Sequence, residues 1–339
     1  MSTTEESTVR ARPTVTRTLD EGKAEQFAAR MMRMLNDAFV GLLTSIGHRT
    51  GLFDTMAALP PSTSGEIATA DGLDERYVRE WLATMTMGGI VEYEPRGQTY
   101  VLPPEHAAFL TRAAGPDNLA TVAQYVSCSA EVESGIVECF RHGGGLPYSA
   151  YERFHSIMVE DSGQVFDGTL LTSTIDLLPG MRERLSEGVD VLDIGCGSGH
   201  AVNLLAREFP NSRVRGYDFS EEAVERARRE AAEWGLPNAT FKVQDVAELP
   251  EVAAFDLITA FDTIHDQAHP DRVLNAVARA LHEDGTFLMV DVAASSNLED
   301  NAHHLLGAFF YGLSTMICMS VSLVAGDIYN NFYVARKSS

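Results

Sequence analysis

The sequence predicts an α/β protein in which a parallel sheet, in the C-terminal half, follows an N-terminal α-helical domain. In the C-terminal half, a short β-branched run at residues 189–194 leads into three alternating glycines and then into a helical pattern. Strand, glycine turn and helix are the start of a nucleotide-binding βα unit. In the N-terminal half, two short helices and an alternating hairpin are typical of a winged helix.

The composition fits two globular domains and argues against some classes of partner. A chain of 339 residues is long for one compact domain. Its formal charge of −22 would repel nucleic acid and anionic membranes. The cysteines, Cys128, Cys139, Cys196 and Cys318, have no metal-ligand spacing and are typical of reduced intracellular thiols. We therefore expect a cytoplasmic protein with no metal site, no nucleic-acid partner and no membrane partner.

Two segments bear on targeting. Residues 1–18 are polar, lack an apolar signal segment and are predicted to form a disordered tail. Residues 305–325 carry no charge over 21 residues, a length that can span a bilayer. This run contains serine, threonine, glycine and cysteine, and no basic anchor precedes it. We therefore expect it to form a buried helix beside the sheet.

Residues 19–140 are predicted to form a winged-helix and dimerisation domain. The helical spacing of apolar residues over 20–49 predicts a long first helix. A hydroxyl-capped helix, a second helix that starts at Asp74 and a hairpin over 90–102 follow. Because such a unit can bind DNA, a transcriptional regulator is an alternative hypothesis. The second helix has acidic residues beside its arginines, so its surface is close to neutral. This favours a role in dimerisation and in forming one wall of a pocket over DNA binding.

Residues 141–184 are predicted to contain a linker and pocket-wall helices. Three glycines and Pro147 make residues 141–151 a loop. The aromatic side chain of this loop and the helix after it supply the candidate substrate-binding residues Tyr148, Phe154 and His155. A plain interdomain linker is the alternative. Residues 163–184 are predicted to form one helix that leads into the next domain.

From residue 185 onward, strands and helices alternate as in a parallel sheet. After the first strand, further strands are predicted at residues 213–218, 240–246, 255–261 and 286–291. The second strand ends in Asp218, 19 residues after Gly199, where an acid accepts hydrogen bonds from ribose hydroxyls; a helix N-cap is the alternative role. Asp245 and Val246, on the third strand, are placed to contact an adenine ring.

The glycine motif is led by Asp193 and reads D-x-G-x-G-x-G, with His200 where a dinucleotide fingerprint needs its last glycine. It resembles motif I of the class I S-adenosylmethionine-dependent methyltransferases. The runs that resemble a bacterial small-molecule subgroup with an N-terminal winged helix are 45–53, 103–106, 261–267 and 330–337. The resemblance implies a Rossmann-like methyltransferase sheet and S-adenosyl-L-methionine as the cofactor. The implied cofactor-binding residues are Asp193, Gly195, Gly197, Gly199, Asp218, Phe219, Asp245, Val246 and Phe261.

This resemblance implies that residues 185–339 form the catalytic domain and that the protein methylates a small-molecule acceptor, of the secondary-metabolite kind. An oxygen or nitrogen acceptor must lose a proton, which requires a base near the end of the fourth strand. His265 with Asp266 are the candidate catalytic residues. A histidine that only orders the loop is the alternative, and His155, His142 and Tyr148 are weaker candidates across the cleft.

The C-terminus departs from the methyltransferase pattern. Residues 328–337 are predicted to be the final strand, directly after the apolar run, so a helix and a strand implied by the resemblance are missing. The sheet is therefore expected to lack one C-terminal edge strand, and a homodimer contact or a partner chain is expected to cover the edge. A further alternative function follows: a methyltransferase fold recruited to non-methylating elimination or ring-closing substitution.

Overall fold

The computed structural model describes residues 18–295 and 297–324, and it confirms the predicted α/β class. The predicted final strand at 328–337 and nearly all of the predicted N-terminal tail lie outside the described residues.

The N-terminal domain consists of one long helix followed in the chain by a winged helix. The helices are α1 (Glu21–Thr50), α2 (Leu52–Ala58), α3 (Ser64–Asp71) and α4 (Glu75–Met87). Strands β1 (Glu92–Glu94) and β2 (Thr99–Val101) pair antiparallel as the wing. Trp81 of α4 contacts the Phe53 ring edge-on at 5.2 Å and donates a hydrogen bond to the Leu43 carbonyl at 2.8 Å. These contacts attach α1 to the winged helix.

A set of connecting helices follows: α5 (Pro104–Leu110), α6 (Leu119–Glu131), α7 (Glu133–His142), α8 (Phe154–Val165) and α9 (Met181–Glu187). The prediction of a single helix over 163–184 is wrong. Helix α8 continues as a π-helical segment, Phe166–Thr174, and a short 3₁₀ turn, Ile175–Leu177, before the chain breaks. The break follows from Pro179, which disfavours helix before it, and from Gly180 at φ 75°.

The C-terminal half is built on a parallel sheet of five strands within the described residues. The strands are β3 (Asp190–Ile194), β4 (Arg213–Asp218), β5 (Ala239–Val243), β6 (Phe255–Phe261) and β7 (Leu281–Val290). Their order is β5-β4-β3-β6-β7, and helices α10 (His200–Glu208), α11 (Glu221–Trp234) and α12 (Pro270–Ala280) cover the faces. Consecutive residues of β3, Val191 and Leu192, enter different apolar clusters. The order reverses beside β3, which creates a ligand-binding crevice at the carboxyl ends of the strands.

Two strand boundaries differ from the prediction by more than one residue. Strand β7 begins at Leu281 instead of 286, because a register shift at Phe255 accommodates residues that the sequence pattern assigns to a turn. Strand β5 ends at Val243, and the predicted strand residues Asp245 and Val246 belong to the turn that follows.

The apolar C-terminal run forms α13 (Gly307–Leu313), a π-helical turn (Ser314–Cys318) and α14 (Met319–Val324). Gly307–Val324 is long and apolar enough to span a membrane, but length and composition alone are weak support for such a role. The expected burial beside the sheet is wrong. The helix instead packs on the α6–α8 cluster, where Ile317 is buried and the Tyr151 hydroxyl donates to the Met316 carbonyl at 2.6 Å.

This C-terminal helix also holds the glycine-rich loop after α7. A Cβ on Gly145 would lie 1.7 Å from the Ser320 carbonyl oxygen, so only glycine permits this approach. The Leu146 backbone N–H donates to Ser320 Oγ at 2.9 Å. The loop is therefore fixed against the helix and forms one wall of the crevice.

Candidate active site

The glycine turn between β3 and α10 leaves one open position in the crevice. Gly195, Gly197 and Gly199 all have positive φ, at 64°, 53° and 76°. A Cβ on Gly195 would lie 2.3 Å from the Thr263 side chain, and one on Gly199 would lie 2.5 Å from Ala227 Cβ. A Cβ on Gly197 would meet nothing within 4 Å. Two of the glycines are therefore required by packing, whereas Gly197 borders space that a ligand can enter.

Asp218 closes this turn from the end of β4. Its carboxylate accepts hydrogen bonds from the Gly197 N–H at 2.9 Å and the Ser220 N–H at 2.8 Å. Burial raises the pKa of Asp218, and these two backbone donors oppose the rise. A carboxylate offers about four acceptor positions, so about two remain for a ligand. The alternative role as N-cap of α11 is wrong, since Ser220 caps that helix.

Two other predicted cofactor acids lie in different surroundings. Asp193 is buried in β3, where it accepts a hydrogen bond from the Thr259 hydroxyl at 2.6 Å, and burial raises its pKa to about 7. Asp245 is exposed and accepts from the Ala247 N–H at 2.9 Å, next to the buried Val246. Asp193 thus supports the glycine turn from within β3, and Asp245 lies at the edge of the crevice, after the end of β5.

An aromatic group connects the loop to the strand ends. The Tyr148 ring stacks on Phe154 at 5.4 Å, lies 5.3 Å from His155 and stacks on Phe219 at 6.4 Å. The proximity of His155 opposes the rise in the pKa of Asp218 that burial causes. The structure therefore brings the three predicted substrate-binding residues next to the glycine turn.

Two predicted residues lie apart from that group. Phe261, at the end of β6, contacts the Phe166 ring edge-on at 5.0 Å. His142 is exposed at the end of α7, where its Nε2 lies 3.5 Å from Glu138.

His265 and Asp266 occupy a 3₁₀ turn directly after β6. His265 Nδ1 is hydrogen-bonded to the Asp291 carboxylate, and its Nε2 lies 3.3 Å from Asp266 Oδ1. The other oxygen of Asp266 accepts from the Tyr148 hydroxyl at 3.5 Å. Burial opposes a charge on His265, but the hydrogen bond to Asp291 and the neighbouring Asp266 outweigh it and raise the pKa of His265. The imidazole and its two carboxylates therefore share protons as one unit.

Three residues near this pair were missed by sequence reasoning. Asp291 directly follows β7, beside the end of β6, so its place at the carboxyl edge was a usable signal. Cys318 reaches His265 and Asp266 from the C-terminal helix, and no local pattern indicates that approach. Asp262 adopts φ 48°, a strained conformation that occurs at functional sites.

His200, the first residue of α10, fastens the glycine turn to its surroundings. Its Nδ1 lies 2.8 Å from Glu230 of α11, and its Nε2 lies 3.0 Å from Asp167 of the π-helical segment. Burial opposes the charge, but these two carboxylates raise the pKa of His200. His200, which stands where a dinucleotide motif has its last glycine, therefore connects α10, α11 and the π-helical segment.

Comparison with known families divides the chain into two matched regions. Residues 38–112 match the family described as the Rv2258c-like winged HTH domain. Residues 185–328 match the family described as a methyltransferase domain. Both regions fall within the two halves that the structure separates into a winged helix and a parallel sheet.

Individual matches are to proteins named as methyltransferases. Trans-aconitate 2-methyltransferase of Variovorax paradoxus is 32% identical over 128 residues, which cover 38% of this chain and 46% of that protein. The chain spans about half the length of the curated relatives it matches. The solved structure of the mitomycin 7-O-methyltransferase MmcR superposes with a TM-score of 0.65 at 17% identity, over 89% of each chain. Human N-acetylserotonin methyltransferase, solved with S-adenosylmethionine, gives 0.62 at 18% identity over 86% of each chain. These likenesses establish a shared fold.

Proposed function

Because the chain joins a winged helix-turn-helix domain to a methyltransferase domain, we propose that it methylates a small-molecule acceptor with S-adenosyl-L-methionine. The acceptor class we favour is a secondary metabolite, as in the relatives named for such substrates. One observation carries the proposal: Gly197 borders open space, and Asp218 keeps about two acceptor positions beside it. When bound there, the cofactor supplies an activated methyl group.

The residues around the turn suit that cofactor. We assign the two ribose hydroxyls to Asp218 and the adenine amino group to Asp245, with Val246 and Phe219 against the ring. Gly195, Gly197 and Gly199 keep the backbone close to the ligand, and Asp193 supports them from β3. Phe261 lines the end of β6 toward the methyl position. The assignment is supported by the position of these groups at the carboxyl ends of β3, β4, β5 and β6.

The acceptor is proposed to bind against Tyr148, Phe154 and His155. These aromatic side chains face the same crevice as the glycine turn and suit a planar, partly apolar molecule. Because displacement at a methyl carbon needs an in-line approach, the main task of this wall is alignment and the exclusion of water. We assign removal of the acceptor's proton to His265 and Asp266 as a pair, because two carboxylates flank the imidazole.

Cofactor binding tests this proposal directly. Isothermal titration with S-adenosylmethionine should show saturable binding at one site per chain, and Asp218→Ala should abolish it. The matched control is Asp271→Ala, an exposed acid in the first turn of α12. The absence of binding to the folded wild-type protein would overturn the proposal.

We also propose that the protein forms a homodimer through α1. This helix exposes large apolar side chains on much of its length, including Phe27, Leu35 and Phe39, each more than 60% exposed. Sedimentation analysis should show a dimer for the wild type and a monomer for Leu35→Glu. A monomeric wild type would refute the proposal.

The four free cysteines agree with a proposed cytoplasmic location.

DNA binding is the less favoured function. The arginines of α4 already pair with acids on the same helix, Arg76 with Glu80 at 2.6 Å and Arg79 with Glu75 at 2.9 Å. Phosphate contacts would have to break these pairs, against the strongly negative charge of the chain.

A further inference from the structure

We propose that His265, Asp266 and Cys318 bind a divalent transition-metal ion, Zn²⁺ by preference, beside the methyl-transfer position. One ligand atom from each residue, an imidazole nitrogen, a carboxylate oxygen and a thiol sulfur, lies within 4.8 Å of the other two. The first two residues follow β6, and the third comes from the C-terminal helix. Their convergence is therefore a product of the tertiary fold, and sequence spacing alone does not reveal it.

The distances between these atoms suit a tetrahedral ion. Asp266 Oδ1 is buried and has no hydrogen-bond partner within the described part of the chain, although it lies 3.3 Å from His265 Nε2. Two ligands at about 2.0–2.1 Å from a tetrahedral ion lie about 3.3 Å from each other. A buried carboxylate oxygen without a hydrogen bond is costly unless a cation compensates it, and in the metal-free protein the charged imidazole of His265 is that cation. A divalent ion between the two atoms would take over this role and displace the proton from Nε2.

The surroundings of His265 match those of a metal ligand. Its Nδ1 is hydrogen-bonded to the Asp291 carboxylate, and that carboxylate also accepts from the His265 backbone N–H at 3.3 Å. Ligating histidines usually give their second nitrogen to such a partner, which fixes the tautomer and aims Nε2 at the ion. Asp262 adds a further carboxylate close to His265 and Asp291. The pocket is therefore rich in negative charge, as a site for a divalent cation should be.

The mixed ligand set favours Zn²⁺ over the hard cations, since Mg²⁺ and Ca²⁺ prefer oxygen ligands alone. Three protein ligands leave a fourth position open, which is typical of catalytic zinc sites. The role of the ion rests on the proposed methyl transfer. An acceptor hydroxyl bound at the fourth position would release its proton to water more readily, because the ion stabilises the oxyanion. In the metal-loaded protein His265 and Asp266 would be ligands, so the proton-accepting role proposed for them above would apply only to the metal-free protein.

Cobalt substitution tests the site without turnover. The full-length protein is treated with a chelator and titrated with Co²⁺, which reports tetrahedral binding through visible absorption and a thiolate ligand through a near-ultraviolet charge-transfer band. We expect one ion per chain, displaced by Zn²⁺. Cys318→Ser should remove the charge-transfer band, whereas Cys139→Ser, on the surface helix α7, should retain it. Asp291→Asn should weaken binding about 10- to 100-fold.

Two outcomes would overturn the metal site. One is no Co²⁺ binding by wild-type protein whose thermal unfolding and cofactor binding are intact; this leaves the methyltransferase proposal standing. The other is a charge-transfer band that survives in Cys318→Ser and disappears in Cys139→Ser. Conversely, stoichiometric metal binding without any binding of S-adenosylmethionine would support the site and refute the proposed reaction.

Discussion

Replacing Gly197 by alanine separates the cost of folding at the glycine turn from the cost of binding. An alanine at φ 53° costs about 1–2 kcal/mol of stability, because Cβ crowds the following carbonyl oxygen. Gly72 is a matched control: its φ is 65°, and a Cβ there also meets nothing within 4 Å. Gly72→Ala and Gly197→Ala should therefore lose similar amounts of unfolding free energy in urea titrations.

Only Gly197→Ala should lose affinity for S-adenosylmethionine. Its methyl group would occupy the open space beside the turn and would disturb the 2.9 Å hydrogen bond from the Gly197 N–H to Asp218. We expect a 10- to 100-fold weaker Kd, which corresponds to about 1.4–2.8 kcal/mol. Calorimetric titration measures it. Equal affinity in wild type, Gly72→Ala and Gly197→Ala would refute the reasoning, because the ligand would then lie elsewhere.

The remaining predictions concern three other positions. Asp218→Asn should weaken binding of S-adenosylmethionine at least tenfold, because a hydrogen bond to a charged group contributes about 1.5–3 kcal/mol, whereas Asp271→Asn should leave Kd unchanged in the same titration. The raised pKa of His200 means that its ion pairs stabilise the fold fully below about pH 6.5 and lose this effect as pH rises through the folded pKa. Urea unfolding over a pH series should show that decline in the wild type and a flatter profile in His200→Ala; equal slopes would contradict it. Asp262→Gly should relieve the strain at φ 48° and stabilise the protein by about 1 kcal/mol, while methyl transfer slows; a destabilised variant would show that Asp262 carries structural contacts that outweigh the strain.

Features encoded by local patterns could be predicted from the sequence. The run 189–194 is rich in β-branched residues, and β3 forms there as Asp190–Ile194. Strand β6, Phe255–Phe261, has the predicted bounds, because its apolar residues sit between clear turn signals. Asp218 lies at the end of β4 beside Gly197, as the spacing of the motif suggested. In each case, a few neighbouring residues determine the conformation.

Features that depend on tertiary contacts could not be predicted. Cys318 meets His265 across 53 positions of the chain, through a helix whose composition shows only that it is apolar. That helix packs on α6 and α8 and not beside the sheet, and the loop at Gly145 approaches it closely. The early start of β7 depends on a register shift against β6, which no periodicity in β7 itself reveals.

A crystal structure with S-adenosylhomocysteine tests the central claim most directly. The account predicts that the ribose hydroxyls donate to Asp218, that the ligand contacts the backbone at Gly197, and that the sulfur faces the space between Tyr148 and His265. A ligand bound away from the carboxyl ends of β3 and β4, or with its sulfur turned away from that space, would contradict the proposed methyl transfer.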